Sequence, residues 1–400
     1  MTHIAGEKCL TSGSASTREL GVDASILTRY DAVRDFSQKA FRSACYAPYT
    51  QLYFDTRGNV RVCCHNWKHS IGNITENSID EIWNGEALKR VRGAVRAYDF
   101  TLGCGYCEWQ LASGSLVNLS IRKWDDLPVP SSEPLWPQQM EFSISNTCNL
   151  ECIMCDGDTS SAIRANRERR PPLSKVYSDA FFAELRKYLP HLRKARFLGG
   201  EPFLEQECYR IWDMLIEDRI PLPCHVTTNG TQFNSRIEKI LDKMPFGIAV
   251  SVDGFTKETI ESVRVHARYE RLLENIGKFR DYTIARKTAF GLTYCLMRPN
   301  WREFGDFCLW ADDLDCSVFV NQVRRPAELS LFTLPLRDLQ QIVDAMENQA
   351  TTLLPRLRRH RETWLGQIQR LRQRSSGAVE VPELVSIATQ AGARTGSARP

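Results

Sequence analysis

Three cysteines, Cys148, Cys152 and Cys155, stand in SNTCNLECIMCD with three and then two residues between them. Thiolates so spaced can wrap one corner of an iron–sulfur cubane, holding three of its irons and leaving the fourth without a protein ligand. An open iron can bind a substrate or cofactor. A structural zinc site is the alternative, and it wants a closed set of four ligands. None follows closely, since the next histidine is His191 and the next cysteine Cys208. A second group, Cys45, Cys63, Cys64, Cys104 and Cys107, precedes the triplet. Four thiolates suit a zinc ion or an iron–sulfur cluster, and Cys104-Gly105-Tyr106-Cys107 reads as a metal knuckle. Cys9, Cys208, Cys224, Cys295, Cys308 and Cys316 are expected to be mostly buried small hydrophobes.

The elements that must position these thiols alternate. Strands are expected near 140–146, 195–198, 224–228, 247–252, 290–297 and 317–323. Helices are expected near 178–190, 205–218, 234–243, 269–282, 301–313 and 336–349. Repeated strand, helix, strand means parallel β with right-handed crossovers. Six such units are too few to close an eight-stranded barrel, which leaves an open partial barrel or a doubly wound sheet. The triplet follows the first of these strands and so lies at its carboxyl end, where α/β proteins place active sites. Earlier in the chain, Ser78 is expected to cap a helix with Glu81 as its capping-box partner.

Bulk composition excludes several classes. The 400 residues carry Lys+Arg 52 against Asp+Glu 48, a formal charge of +4, which argues against a nucleic-acid partner or a membrane surface. The opening MTHIAGEKCLTSGS has no apolar run, and no later segment is apolar enough to span a bilayer. The expectation is a cytoplasmic protein, in which 14 cysteines point to metal rather than to disulfides.

Three further segments accompany the triplet in order: Gly199-Gly200-Glu201-Pro202, Thr227-Thr228-Asn229-Gly230 and Ser251-Val252-Asp253-Gly254. Together with Cys-x3-Cys-x2-Cys they resemble the radical S-adenosylmethionine (SAM) superfamily over residues 140 to about 325. The resemblance implies a partial (βα)6 TIM-like barrel and a [4Fe–4S] cluster whose open iron chelates SAM. It also implies that Glu201 and the glycine backbone receive the SAM ammonium. Asn229, Ser251 and Asp253 line the pocket, and Arg264 pairs with the carboxylate. Many relatives have an aromatic residue where this chain has Met154, so adenine stacking becomes thioether packing.

CYAP, GNVRVCC, GNITENSIDEIWN and CGYC resemble the auxiliary-cluster module called SPASM, or its shortened twitch form, here ahead of the barrel instead of behind it. That resemblance makes Cys45, Cys63, Cys104 and Cys107 the ligands of an auxiliary [4Fe–4S] cluster. The organisation expected is a loose leader over 1–40, the auxiliary module over 41–115, a Pro-rich linker over 116–139, the core over 140–330, helices over 331–375 and a disordered tail over 376–400.

The family implies an enzyme. SAM is cleaved to a 5′-deoxyadenosyl radical that takes hydrogen from a peptide or small polar substrate, with an electron from a reductant such as flavodoxin or ferredoxin. The competing readings are cleavage of the other S–C bond, giving aminocarboxypropyl transfer, and a non-enzymatic zinc-binding interaction protein.

Overall fold

A computed structural model describes residues 22–113, 116 and 119–376. Its strands are β1 Gln51–Phe54, β2 Asn59–Arg61, β3 Gly72–Asn73, β4 Gln139–Phe142, β5 Lys194–Phe197, β6 Cys224–Thr228, β7 Phe246–Ser251, β8 Phe290–Leu296 and β9 Ser317–Gln322. All nine lie in one sheet, in the order β3-β2-β1-β4-β5-β6-β7-β8-β9. Strands β4 to β9 run parallel to their neighbours. The helices Asp179–Tyr188, Gln206–Glu217, Ser235–Lys243, Tyr269–Arg286, Phe304–Asp313 and Leu336–Leu353 follow them in turn. This is the partial (βα)6 arrangement.

Period-2 alternation gives the sheet two unlike faces. On one, an aromatic ladder crosses three strands: Phe54 stacks on Phe142 at 5.6 Å, Phe142 on Phe197 at 5.2 Å, and Phe197 meets the edge of Trp212 from a covering helix at 5.2 Å. Apolar burial of this kind, at about 25 cal/mol per Å², holds helices to sheet. The other face carries Tyr53, Glu141, Arg196 and His225 in one register row. These polar side chains share the face opposite the aromatic ladder.

The amino-terminal module is not a separate body. Its strand β1 pairs in parallel with β4, Gln51 opposite Gln139 through Phe54 opposite Phe142. The expected helix start is present, with the Ser78 hydroxyl accepting from Glu81 N and the Glu81 carboxylate accepting from Ser78 N.

Two expected loose segments are packed. Residues 1–21 lie outside the described residues, but Ala24–Ala32 is helical; the buried Tyr30 hydroxyl donates to Ala44 O at 2.9 Å. Arg34 ties this helix down through Asp125 at 2.8 Å and Ser43 O at 2.7 Å. The expected linker carries buried Trp124, Leu127 and Val129, and Val129 N donates to Gln38 O at 2.9 Å. Apolar residues spaced among the prolines outweigh the turn signals there.

At the carboxyl end, Leu357, Trp364, Ile368 and Leu371 are buried, the last three on the helix Arg361–Ser375. Of the expected tail over 376–400, Ser376 caps this helix and the residues from 377 lie outside the described residues. Among the described residues no helix is long and apolar enough to cross a membrane.

Gln51 sits on the seam between module and core. Its Oε1 accepts from Trp124 Nε1 at 2.6 Å and from the Gln139 amide, and its Nε2 donates to Glu141 at 3.3 Å. Gln51→Leu orphans two buried donors, each costing about 1–3 kcal/mol. Urea denaturation is expected to show that loss as a lower midpoint with an unchanged slope.

Candidate active site

The triplet loop is laced to three neighbouring segments, to two of them by its backbone. Gly200 N donates to Ser145 O at 3.1 Å and Glu201 N to Thr147 O at 2.6 Å. On the far side, Glu151 N donates to Val265 O at 3.1 Å and Ile153 N to Val263 O at 2.9 Å. The third link is made by side chains: Asn149 donates to Thr231 Oγ1 and accepts from the Asn229 amide, both at 2.9 Å. Approach this close demands glycine. Gly199 has φ +116°, and a Cβ on Gly200 would stand 2.3 Å from Thr147 O.

The three thiols pack together with Leu150, Met154 and Ala267. The Asn229 amide donates to Cys148 Sγ and the Arg264 guanidinium to Cys152 Sγ, each at 3.8 Å. The Cys155 thiol, bonded to Cys152, and then Arg264 hold the Cys152 pKa down, while that pairing and burial raise Cys155. Burial pushes Cys148 up to about 11. Met154 also packs against the buried cluster of Val263, Met297 and Val323, as do Ile153 and Cys295.

Two side chains stand differently from the expectation. Glu201 is fully buried, and its carboxylate accepts from Thr228 Oγ1 at 2.8 Å, Asn229 N at 2.6 Å and Phe203 N at 3.1 Å. It braces the end of β6 onto the glycine turn. Arg264 is buried against Asp253 at 2.6 Å, not turned toward an open pocket. A guanidinium removed from water needs such a partner. Asp253 itself has φ +61° and accepts from Cys295 N at 2.5 Å. Ser251 accepts from Thr293 Oγ1 at 3.0 Å.

In the module, Cys45, Cys63, Cys104 and Cys107 line one enclosed cavity whose other walls include Val62, Phe100, Ile121 and Trp124. Cys104 and Cys107 lie at the start of the helix Gly105–Ala112, with Cys107 N donating to Cys104 O at 3.0 Å. Burial pushes Cys45 up to about 12 and Cys104 to about 11, and it raises Cys63 and Cys107 further. Four soft donors around an apolar cavity suit a cluster, which displaces their protons on binding. Cys64 is not in that lining; it stands near Glu141, Lys123 and Arg196.

Asn149, Thr231 and Cys295 were not legible as site residues. Asn and Thr carry no signal by type, and a cysteine inside an apolar strand reads as packing.

An open parallel α/β barrel whose first strand ends in three gathered thiols, with glycine, Asn and Asp-Gly loops closing on them, defines a class of protein that binds a cluster where a cofactor can reach it. The Radical SAM superfamily profile matches residues 142–311, and the SPASM profile, an iron–sulfur cluster-binding domain, matches 45–108; together they take in more than half of the chain. This chain belongs to the radical SAM superfamily and is an enzyme whose cofactors are SAM, the [4Fe–4S] cluster that binds it and an auxiliary [4Fe–4S] cluster. Its relatives include a GTP 3′,8-cyclase of Aliarcobacter butzleri (strain RM4018), 26% identical over 139 residues, and one of Staphylococcus carnosus (strain TM300), 24% identical over 151. Those matches cover 34% and 37% of this chain and only 41% and 42% of the cyclases. Among solved structures, Streptococcus suis SuiB bound to precursor peptide SuiA is 14% identical, with a TM-score of 0.40 over 54% of this chain and 47% of that one. Native anSMEcpe with bound AdoMet is 16% identical, with a TM-score of 0.35 over 54% and 62%.

Burial lifts the Glu201 carboxyl from 4.5 to about 7, against three donors that favour the anion. A raised carboxyl pKa contributes stability that is whole below 4.5 and is lost as the pH climbs through about 7. Glu201→Gln puts an NH2 in place of the oxygen that accepts from Asn229 N, setting donor against donor, and is expected to lower stability by about 1–3 kcal/mol. Melting curves across pH should show the gap between parent and variant narrowing over that window.

Proposed function

We propose that this chain binds SAM at a [4Fe–4S] cluster held by Cys148, Cys152 and Cys155 and begins its chemistry with hydrogen abstraction from a peptide or small polar substrate. The observation that carries the reading is the lacing of the strand-end loops around the three thiols. Bound there, the cluster and SAM supply one-electron cleavage of a C–S bond and so a 5′-deoxyadenosyl radical. The chain's own residues bind and orient. Asn229 and Arg264 donate to two of the sulfurs, which favours thiolate and offsets the negative charge of a loaded cluster. Gly199 and Gly200 let backbone carbonyls approach an ammonium group where a side chain would stand in the way. Met154 offers a polarizable surface for adenine, and the half-buried Ser251 a hydroxyl for ribose or carboxylate.

Cys45, Cys63, Cys104 and Cys107 take the auxiliary cluster. With all four thiols engaged such a cluster would have no vacant position for SAM and would supply an electron acceptor or a wall of the substrate site. A flavodoxin or ferredoxin supplies the electron. The relatives named GTP 3′,8-cyclase favour the small-molecule side of the substrate range.

Anaerobically reconstituted, reduced protein is expected to turn SAM into 5′-deoxyadenosine and methionine, and Cys148→Ala, Cys152→Ala or Cys155→Ala to abolish this. Methylthioadenosine as the main product would show that the other S–C bond is cut. Zinc in place of iron and sulfide, with no SAM cleavage, would defeat the reading.

The double variant Cys104→Ala, Cys107→Ala is expected to lose about four irons and keep SAM cleavage. Iron analysis beside a melting curve separates loss of the cluster from loss of the module's fold.

A further inference from the structure

Strand β9 runs at its carboxyl end into Val323, Arg324 and Arg325. Arg324 is only 9% exposed. Its guanidinium lies 4.2 Å from the ring centre of Trp109 and 4.7 Å from that of Tyr106. Both rings belong to the helix that carries Cys107, so Arg324 stands in the seam between the auxiliary module and the barrel. Its Nε, Nη1 and Nη2 are all buried without a hydrogen-bond partner, and no carboxylate among the described residues pairs with it. The indole Nε1 of Trp109 is buried and unpartnered as well.

Aromatic faces offset part of the cost of burying a guanidinium, but they accept none of its in-plane hydrogens. The unsatisfied groups of Arg324 and Trp109 are all donors. The ligand that completes them therefore brings acceptors and negative charge, and a planar fork matches an oxyanion bidentately.

The surroundings agree. His65 stacks on Tyr106 at 4.7 Å, and Lys123 Nζ lies 3.2 Å from His65 Nε2. Two cations, Arg324 and Lys123, thus flank the stacked Tyr106–His65 pair. The geometry points to an oxyanion site in this seam, in which Arg324 and Trp109 take a carboxylate or phosphate group of the substrate. The inference rests on the radical SAM reading above and narrows its substrate to an anion. The site is separate from the SAM motifs, which follow β4 to β7.

The test is calorimetric titration of the reconstituted full-length protein with inorganic phosphate and, separately, with succinate, which distinguishes the two sources of oxyanion. One of the two is expected to saturate a single site. Arg324→Gln should weaken it by about tenfold or more, and Arg324→Lys, which keeps the charge but not the fork, should fall between. Iron content and melting temperature accompany each titration, and the Lys variant reports on the site should the Gln variant fail to fold.

Equal binding by parent and Arg324→Gln, or no binding of either anion at millimolar concentration, overturns the inference. So does a variant that binds anions as the parent does but has a shifted auxiliary-cluster potential, since the guanidinium would then be a counter-charge to that cluster. SAM cleavage is assayed in the same parental preparation. Anion binding without cleavage defeats the proposed function and leaves the site standing, whereas cleavage without anion binding does the reverse.

Discussion

The site depends on one close contact, the passage of the Gly199–Glu201 turn across the backbone of Ser145–Thr147. At 2.3 Å from Thr147 O there is no room for a Cβ on Gly200, and the 2.6 Å bond from Glu201 N to that carbonyl closes the contact. The turn then delivers Glu201 into the protein interior, where its carboxylate collects the donors at the end of β6. Among these is Asn229 N, whose own side chain reaches Cys148. One backbone crossing is thus tied, through Glu201 and Asn229, to the position of the thiol that follows Thr147.

Charge inside this frame is arranged by pairing. Arg264 and Asp253 are buried together, and each is tied to the thiol region, Arg264 through Cys152 and Asp253 through the backbone of Cys295. A buried pair of this kind is a poor source of stability but a good source of a single geometry. The left-handed backbone of Asp253, uncommon outside glycine, is part of the same constraint.

Much of this was legible in the residues. Strand-end motifs in the right order located the thiols, because the types that do the chemistry there, Cys, Gly and Asp, are also those that local geometry restricts. Apolar periodicity placed all six core strands and their helices. What stayed hidden depended on contacts distant in sequence. Nothing in QLYF announces that β1 joins β4, since a buried strand reads the same in a hairpin and in a parallel sheet. The prolines of 125–137 read as a linker because turn chemistry is local, whereas the burial of Trp124 against Gln51 is not. For Glu201 and Arg264 the chain shows the residue types but not that each is consumed by a neighbour, and a lone arginine such as Arg324 carries no mark of burial at all.

The parallel pairing of β1 with β4 also has a meaning for synthesis. All four module cysteines lie within residues 45–107, but the strand that anchors the module waits for a partner 88 residues further on. At about 5–20 residues per second a ribosome needs on the order of 4–18 s to make that stretch. During that interval one edge of β1 has no neighbour, and an unpaired edge is a template for wrong pairing. The module must therefore hold its nascent form through local contacts, those of Tyr49 with Arg92 and of the apolar cavity wall, until the barrel's first strand leaves the tunnel.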